Sequence, residues 1–341
     1  MAAGLGVSVA TVSRVLNDYP DVSPETRARV WEAIRVARFV PDRTARSLVT
    51  GRGHVIAVIL ETGDGHPDLL HPFFQEVLVG LKRSVRASSY DLLLLSAAAD
   101  DGGYQRRIRH HRVDGVVLMG ARRTDPRIAE VLDAGVPCMA VDMDVAGPRA
   151  GSVASDNVEG AAMGVRHLHE LGHRRIALIG GPGDTKPGTD RRLGFRQEMA
   201  ALGLPHAKRY EQEGDFYPRS GHAGMRALLD LPEPPTAVVA ASDLMAASAI
   251  QAVAERGLHV PGDVAVVGFD DIQIAALLQP SLTTIRQDKQ GLGTAAAESL
   301  VRLIADPELE APVITLPVEL VVRESSGSPP GRVERVRPMM G

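Results

Sequence analysis

The chain has 341 residues, 44% apolar and 23% charged, with a formal net charge of −4, the profile of an ordinary globular protein large enough for two or three domains. No apolar run approaches the ~18–20 residues needed to span a bilayer, and the opening Met1-Ala-Ala-Gly-Leu5 has neither the charge nor the apolar stretch of a secretory signal. The single cysteine, Cys138, excludes an internal disulfide, which fits a reducing cytoplasm, and its apolar neighbours read it as a core residue.

Residues 1–52 carry eight arginines against five acids, a net +3 that leaves −7 for the rest. A basic head on an acidic body suits a polyanionic partner. Gly6-Val-Ser8 reads as a turn ending in an N-cap serine. The following helix, Val9–Asn17, puts Val12, Val15 and Leu16 on one face, and Ala10, Ser13, Arg14 and Asn17 on the other. That second face is small and polar with one arginine, a combination that fits a major groove. Ser23-Pro24 caps and opens the next helix, which continues through Val30, Trp31, Ala33, Ile34 and Ala37.

From Val55 the pattern changes to short apolar runs: Val55–Leu60, Leu92–Leu95, Val116–Met119, Cys138–Val141, Ile176–Ile179, Ala237–Ala240 and Val264–Phe269. Amphipathic stretches separate most of them. Continuous apolar strands alternating with helices predict parallel sheets covered on both faces, and so many units predict two similar lobes. The seam is expected near Ser152–Asp156, with later crossings near Thr284–Gln287 and Pro312–Thr315. In parallel sheets ligands bind beyond the carboxyl ends of the strands, which makes Glu61, Met119, Asp142, Ser242 and Asp270 candidates, together with Arg191 after Gly180-Gly-Pro-Gly183. Carboxylates and a guanidinium there suit a polyol. Asp243 and Asp271 read as helix caps.

The order of residues in the head carries more than its periodicity. Gly6-Val-Ser-Val-Ala-Thr-Val-Ser-Arg-Val-Leu-Asn17, Val22-Ser-Pro-Glu-Thr-Arg27 and Phe39-Val-Pro-Asp-Arg-Thr-Ala-Arg-Ser-Leu48 closely resemble the LacI/GalR repressor family. The likeness continues through Val113-Asp-Gly-Val116, Leu171-Gly-His-Arg-Arg-Ile176, Val267-Gly-Phe-Asp-Asp271, Leu282-Thr-Thr-Ile285 and Leu316-Pro-Val-Glu-Leu320. It implies a small all-α helix-turn-helix head on an α/β two-lobed, periplasmic-binding-protein-like domain with two parallel-sheet subdomains. The expected layout is a head over 1–40, a hinge helix and linker over 41–53, and an effector and dimerisation domain over 54–325. Within the latter, the first lobe takes about 54–153 and 286–312, and the second about 154–285 and 313–325. A disordered tail is expected over 326–341.

The resemblance also assigns roles. Arg14 would pair with guanine and Ala10 would meet a thymine methyl, with Ser8, Val9, Thr11, Ser13 and Asn17 around them on the recognition helix. Arg46 and Leu48 fall on the hinge helix, Leu48 as the minor-groove wedge. Phe73, Phe74, Asp142, Arg191, Phe216, Ser242, Asp270 and Gln287 would hold the effector, most simply a sugar. The implied protein is a cytoplasmic homodimeric repressor on a near-palindromic operator, with no membrane partner, cofactor, metal or catalytic residue. About eight further residues, most of a first helix, would precede Met1 in such a head.

A soluble sugar- or nucleoside-binding module with impaired DNA binding is the alternative, because an incomplete first helix would weaken the head. Other chemistries lack their patterns: Gly180–Gly183 has no Lys-Ser/Thr for a phosphate loop, and His167 and His169 point apart on a helix.

Overall fold

A computed structural model of the chain describes residues 6–16, 21–37, 53–61, 68–96, 103–205 and 207–327. In the head, α1 (Val9–Leu16) and α2 (Pro24–Ala37) pack through Val12, Val15, Val30 and Ile34, with Val7 and Val22 against them. The Ser8 hydroxyl accepts the Thr11 amide at 3.0 Å, and the Ser23 hydroxyl accepts the Thr26 amide at 3.3 Å. Both serines thus satisfy amides that the first turn would otherwise leave open. Ser8→Ala is expected to cost the first helix about 1 kcal/mol, read as faster hydrogen exchange of the α1 amides. Aspartate at the same position should retain protection; equal loss in both variants would remove the capping role.

The body begins with β1 (Val55–Leu60), α3 (Pro72–Ala87), β2 (Asp91–Leu94), α4 (Gly103–His110), β3 (Gly115–Met119), α5 (Arg127–Leu132), β4 (Cys138–Val141) and β5 (Ala150–Ser155). The chain then crosses into α6 (Asn157–Glu170), β6 (Ile176–Gly180), α7 (Lys186–Ala201), β7 (Glu211–Glu213), α8 (Pro218–Leu229), β8 (Ala237–Ala240), α9 (Asp243–Glu255), β9 (Ala265–Asp270) and β10 (Thr283–Gln287). It returns through α10 (Lys289–Ala305) and β11 (Val313–Leu316), and crosses a last time into β12 (Val318–Val321). One sheet has the order β11-β5-β4-β3-β1-β2; the other has β12-β10-β9-β8-β6-β7. Every pairing is parallel except β12 against β10.

Two expected crossings move. Thr283–Gln287 is wholly a strand of the second sheet, and the chain leaves it at Asp288, whose carboxylate caps α10 by accepting the Gly291 amide at 2.8 Å. Val313–Leu316 pairs with Ser152–Ser155 of the first sheet rather than joining the second lobe. The reason is that a short edge strand carries the same alternating pattern on either sheet, and only its partner decides which one it joins.

Apolar clusters cover both faces of each sheet. Cys138 lies in one of them, and burial pushes its thiol up to about 12, leaving it unreactive. Helices α3 and α10 approach backbone to backbone: a Cβ on Gly293 would stand 2.1 Å from the Val77 carbonyl oxygen. Ser326 and Gly327, expected in the tail, instead pack against the second lobe. The Ser326 hydroxyl lies 2.9 Å from His167 Nε2, and the Gly327 carbonyl lies 2.7 Å from His173 Nε2. Two histidines with no apparent partner in sequence thus hold the end of the second lobe. Residues 328–341 lie outside the described residues.

Candidate functional site

The carboxyl ends of the strands in the two sheets face a shared cleft. His71, Phe73, Phe74, Arg122, Asp142 and Met143 line it from the first lobe, and Thr185, Arg191, Asp215, Phe216, Tyr217, Ser242 and Asp270 from the second. Three of these residues have positive φ without being glycine: Asp142 (52°), Phe216 (71°) and Asp270 (118°). Non-glycine residues hold such angles only where the surroundings enforce them, and such positions concentrate at functional sites.

Arg191, on α7, is the centre of the site. Its guanidinium is buried, 3.7 Å from the Phe269 ring centroid, and donates through Nε to Asn157 Oδ1 at 2.7 Å. It also donates through Nη1 to the Ala241 carbonyl and stands 3.5 Å from Asp270 Oδ1. Asp142 accepts the Ser155 amide and the Asn157 side chain on Oδ1, each at 3.2 Å, while its buried Oδ2 has no partner among the described residues. Burial pushes Asp142 up to about 6, although Arg191 opposes the shift. Asp270 accepts Gln287 Nε2 at 2.7 Å, and burial raises it too, against Arg191 and Lys289. A buried cation between two buried carboxylates presents a donor and acceptors to whatever fills the cleft, and the aromatic rings offer flat apolar walls.

Of the eight effector residues expected, Phe73, Phe74, Asp142, Arg191, Phe216, Ser242 and Asp270 line the cleft. Gln287 stands behind Asp270 and orients it. The Ser242 hydroxyl is used internally, donating to the Phe216 carbonyl at 2.9 Å and capping α9 at the Met245 amide. The expected cap residue Asp243 is instead a tie: it accepts the Ile272 amide at 2.9 Å and the Thr284 hydroxyl at 2.5 Å. Asp271 likewise pairs with Arg286 and Arg323 rather than capping. Glu61 faces Arg127 at 2.8 Å and the Tyr104 hydroxyl.

Sequence reasoning missed His71, Tyr217 and Asn157. His71 caps α3 with its ring, accepting the Phe73 amide at 3.3 Å, and packs edge-on against Tyr217 at 5.3 Å. Burial lowers it to about 4, so the ring is neutral near pH 7. Asn157 joins Arg191 to Asp142, but in sequence it reads only as the start of α6. Across the rim, Arg122 pairs with Asp184 at 2.8 Å and Lys186 with Asp144 at 3.1 Å. These pairs tie the two lobes on one side of the cleft.

In the head, Ala10 and Arg14 are exposed on α1, and Arg14 pairs with Asp21 at 3.2 Å. Val9 and Ser13 also lie on α1, whereas Asn17, Arg46 and Leu48 lie outside the described residues. Among the described residues no group of three His, Cys, Asp or Glu could hold a metal, and no helix is long and apolar enough to cross a membrane.

Residues 2–42 match the family described as bacterial regulatory proteins, lacI family, and residues 165–326 match a periplasmic binding protein-like domain. The HTH-type transcriptional regulator CelR of Thermobifida fusca is 35% identical over 332 residues, covering 95% of this chain and 96% of its own. A solved complex of a transcriptional regulator CelR with cellobiose has a TM-score of 0.75 at 34% identity, covering 95% of this chain and 98% of that one. The ribose operon repressor of Escherichia coli (strain K12) is 33% identical over 326 residues, covering 94% and 97%. The lac repressor dimer bound to operator and the anti-inducer ONPF has a TM-score of 0.80 at 28% identity, covering 96% and 98%. With head, cleft and full-length likeness in agreement, the chain belongs to the LacI family of bacterial regulatory proteins.

Proposed function

We propose that this regulator is a cytoplasmic repressor, not a catalyst: a homodimer binds a near-palindromic operator, and a sugar in the cleft controls its affinity. The carrying observation is Arg191, buried between Asp142 and Asp270 at the base of an aromatic-walled cleft. A neutral ring with several hydroxyls could accept from the guanidinium, donate to the carboxylates and lay a face on Phe216. The relatives support a sugar, since CelR was solved with cellobiose and another relative is named for a ribose operon. Ligand bridging both lobes would bias the angle between them, with a coupling of about 1–3 kcal/mol to DNA binding.

Arg14 carries the operator side of the proposal. In the free head it pairs with Asp21, both more than half exposed, so the pair is weak and easily exchanged for a base. Footprinting across the upstream region of its own gene should show a protected palindrome. Arg14→Ala should weaken that site by about 1–3 kcal/mol and relax its sequence preference at one base pair per half-site. An unchanged preference would remove Arg14 as a reader. Thermal-shift screening should find its hits among pyranoses and furanoses; hits confined to nucleosides would favour base stacking on Phe216.

A further inference from the structure

We infer that the end of the first lobe from which the linker emerges is a second DNA-facing surface, contacting phosphates beside the operator through Arg86, Arg106 and Arg109. This role rests on the head binding duplex DNA, and it adds a phosphate-binding rim that the head does not supply.

The surface follows from strand direction. In a parallel sheet the helices run back, so their last turns lie beside the first residues of the strands. Helix α3 ends at Ala87 before β2, and α4 ends at His110 before β3. The two helices pack on opposite faces of the sheet, α3 through Val77, Leu81 and Val85, and α4 through Tyr104 and Ile108. Between their ends the chain enters the lobe. The Gly53 and His54 amides donate to Asp114 at 3.0 and 2.6 Å, the His54 carbonyl accepts the Asp91 amide, and the His54 ring packs on Tyr90 at 5.4 Å.

The charge at this exit is one-sided. Residues 77–90 and 103–113 contain seven lysines and arginines and no acid. The carboxylates that border these stretches in sequence are Glu76, Asp91, Asp101 and Asp114; Glu76 faces Lys289 at 3.5 Å, and Asp114 is occupied by the entering backbone. Arg86, Arg106 and Arg109 are exposed and form no ion pair among the described residues. Of the acids at the same end, Asp133 lies beside α4, its carbonyl accepting Gln105 Nε2 at 3.0 Å, whereas Asp306, Glu308 and Glu310 follow α10 to the far edge strand β11.

The polyanion is identified by the tether. Residues 38–52 join the head to Gly53 and themselves carry four arginines against one aspartate. Even fully extended, fifteen residues reach at most about 50 Å. Duplex held by the head therefore stays within that reach of the lobe end, and the tether, with its net charge of +3, joins directly onto the basic rim. Phosphates within roughly one Debye length, about 10 Å at 0.1 M salt, would feel it.

The test compares two double variants of the full-length protein on a short random-sequence duplex and on the footprinted operator across a salt series. R106Q/R109Q removes rim charge; R219Q/R226Q removes the same charge from exposed positions on α8 in the other lobe. The rim variant should bind both duplexes about tenfold or more weakly at low salt. Its log affinity should fall less steeply with log salt, by close to 0.9 for each phosphate that is no longer neutralised. The ratio of operator to random affinity should be retained, and the α8 variant should match the parent. Arg86→Gln, alone on the other helix, should give a smaller loss of the same kind. Equal shifts in both double variants, or no shift in either, overturn the inference. If the parent still protects a palindrome in that case, and Arg14→Ala relaxes its preference, the repressor reading stands without the rim; if no palindrome is protected, that reading fails as well.

Discussion

Arg191→Ala is expected to lower the stability of the second lobe by about 3–5 kcal/mol, the usual cost of removing one partner from a buried charged group. Burial lowers the Arg191 pKa, but from so high a starting value that the guanidinium keeps its charge. It is held on four sides: the Phe269 ring, the Asn157 amide, the Ala241 carbonyl and Asp270. Alanine would leave Asp142 and Asp270 buried without this cation and empty the space over Phe269. Urea unfolding of single and double variants separates the two causes. If charge imbalance dominates, Arg191→Met with Asp270→Asn should recover much of the loss, giving a large coupling energy. Strictly additive losses would assign the effect to packing. Arg191→Lys should not rescue, since an ammonium cannot stack on Phe269 and reach Asn157 and Ala241 together.

Much of this arrangement was legible in the sequence because strand ends in a parallel sheet point to one place. Asp142, Ser242 and Asp270 each follow an apolar run, and all three reach the cleft. What the sequence could not separate was lining from support. Ser242 and Gln287 look like ligand groups by position, yet one is consumed by a cap and the other by Asp270. Asp243 looks like a cap and is a buried tie, because Ser242 one residue earlier already takes the cap position. His71 was invisible because histidine seldom caps a helix, and Asn157 because its partners lie 15 and 34 residues away. The lobe assignment of β11 failed for a similar reason: hydrophobic period fixes a strand but not its neighbour.

Asp142 supplies the second large effect. Its pKa near 6, against an ordinary 3.8, means the folded protein holds a proton that the unfolded chain releases between about pH 4 and pH 6. Across that window the native state binds more protons, so stability falls as pH rises, by about 3 kcal/mol for a shift of this size. Asp142→Asn keeps an oxygen for the Ser155 amide and cannot ionise. It should therefore unfold at higher urea than the parent at pH 7, with the difference shrinking toward zero near pH 4. Ligand binding should show the opposite dependence. Oδ2 is buried and unpartnered among the described residues, and a sugar hydroxyl can donate to it best once the carboxyl is ionised. Affinity should rise as pH passes through about 6 and then level, with proton release detectable by calorimetry in buffers of different ionisation enthalpy. The Asn variant should bind more weakly at pH 7 and show no rise. Matching pH profiles for parent and variant would remove Asp142 from the ligand and leave its high pKa as a consequence of burial alone.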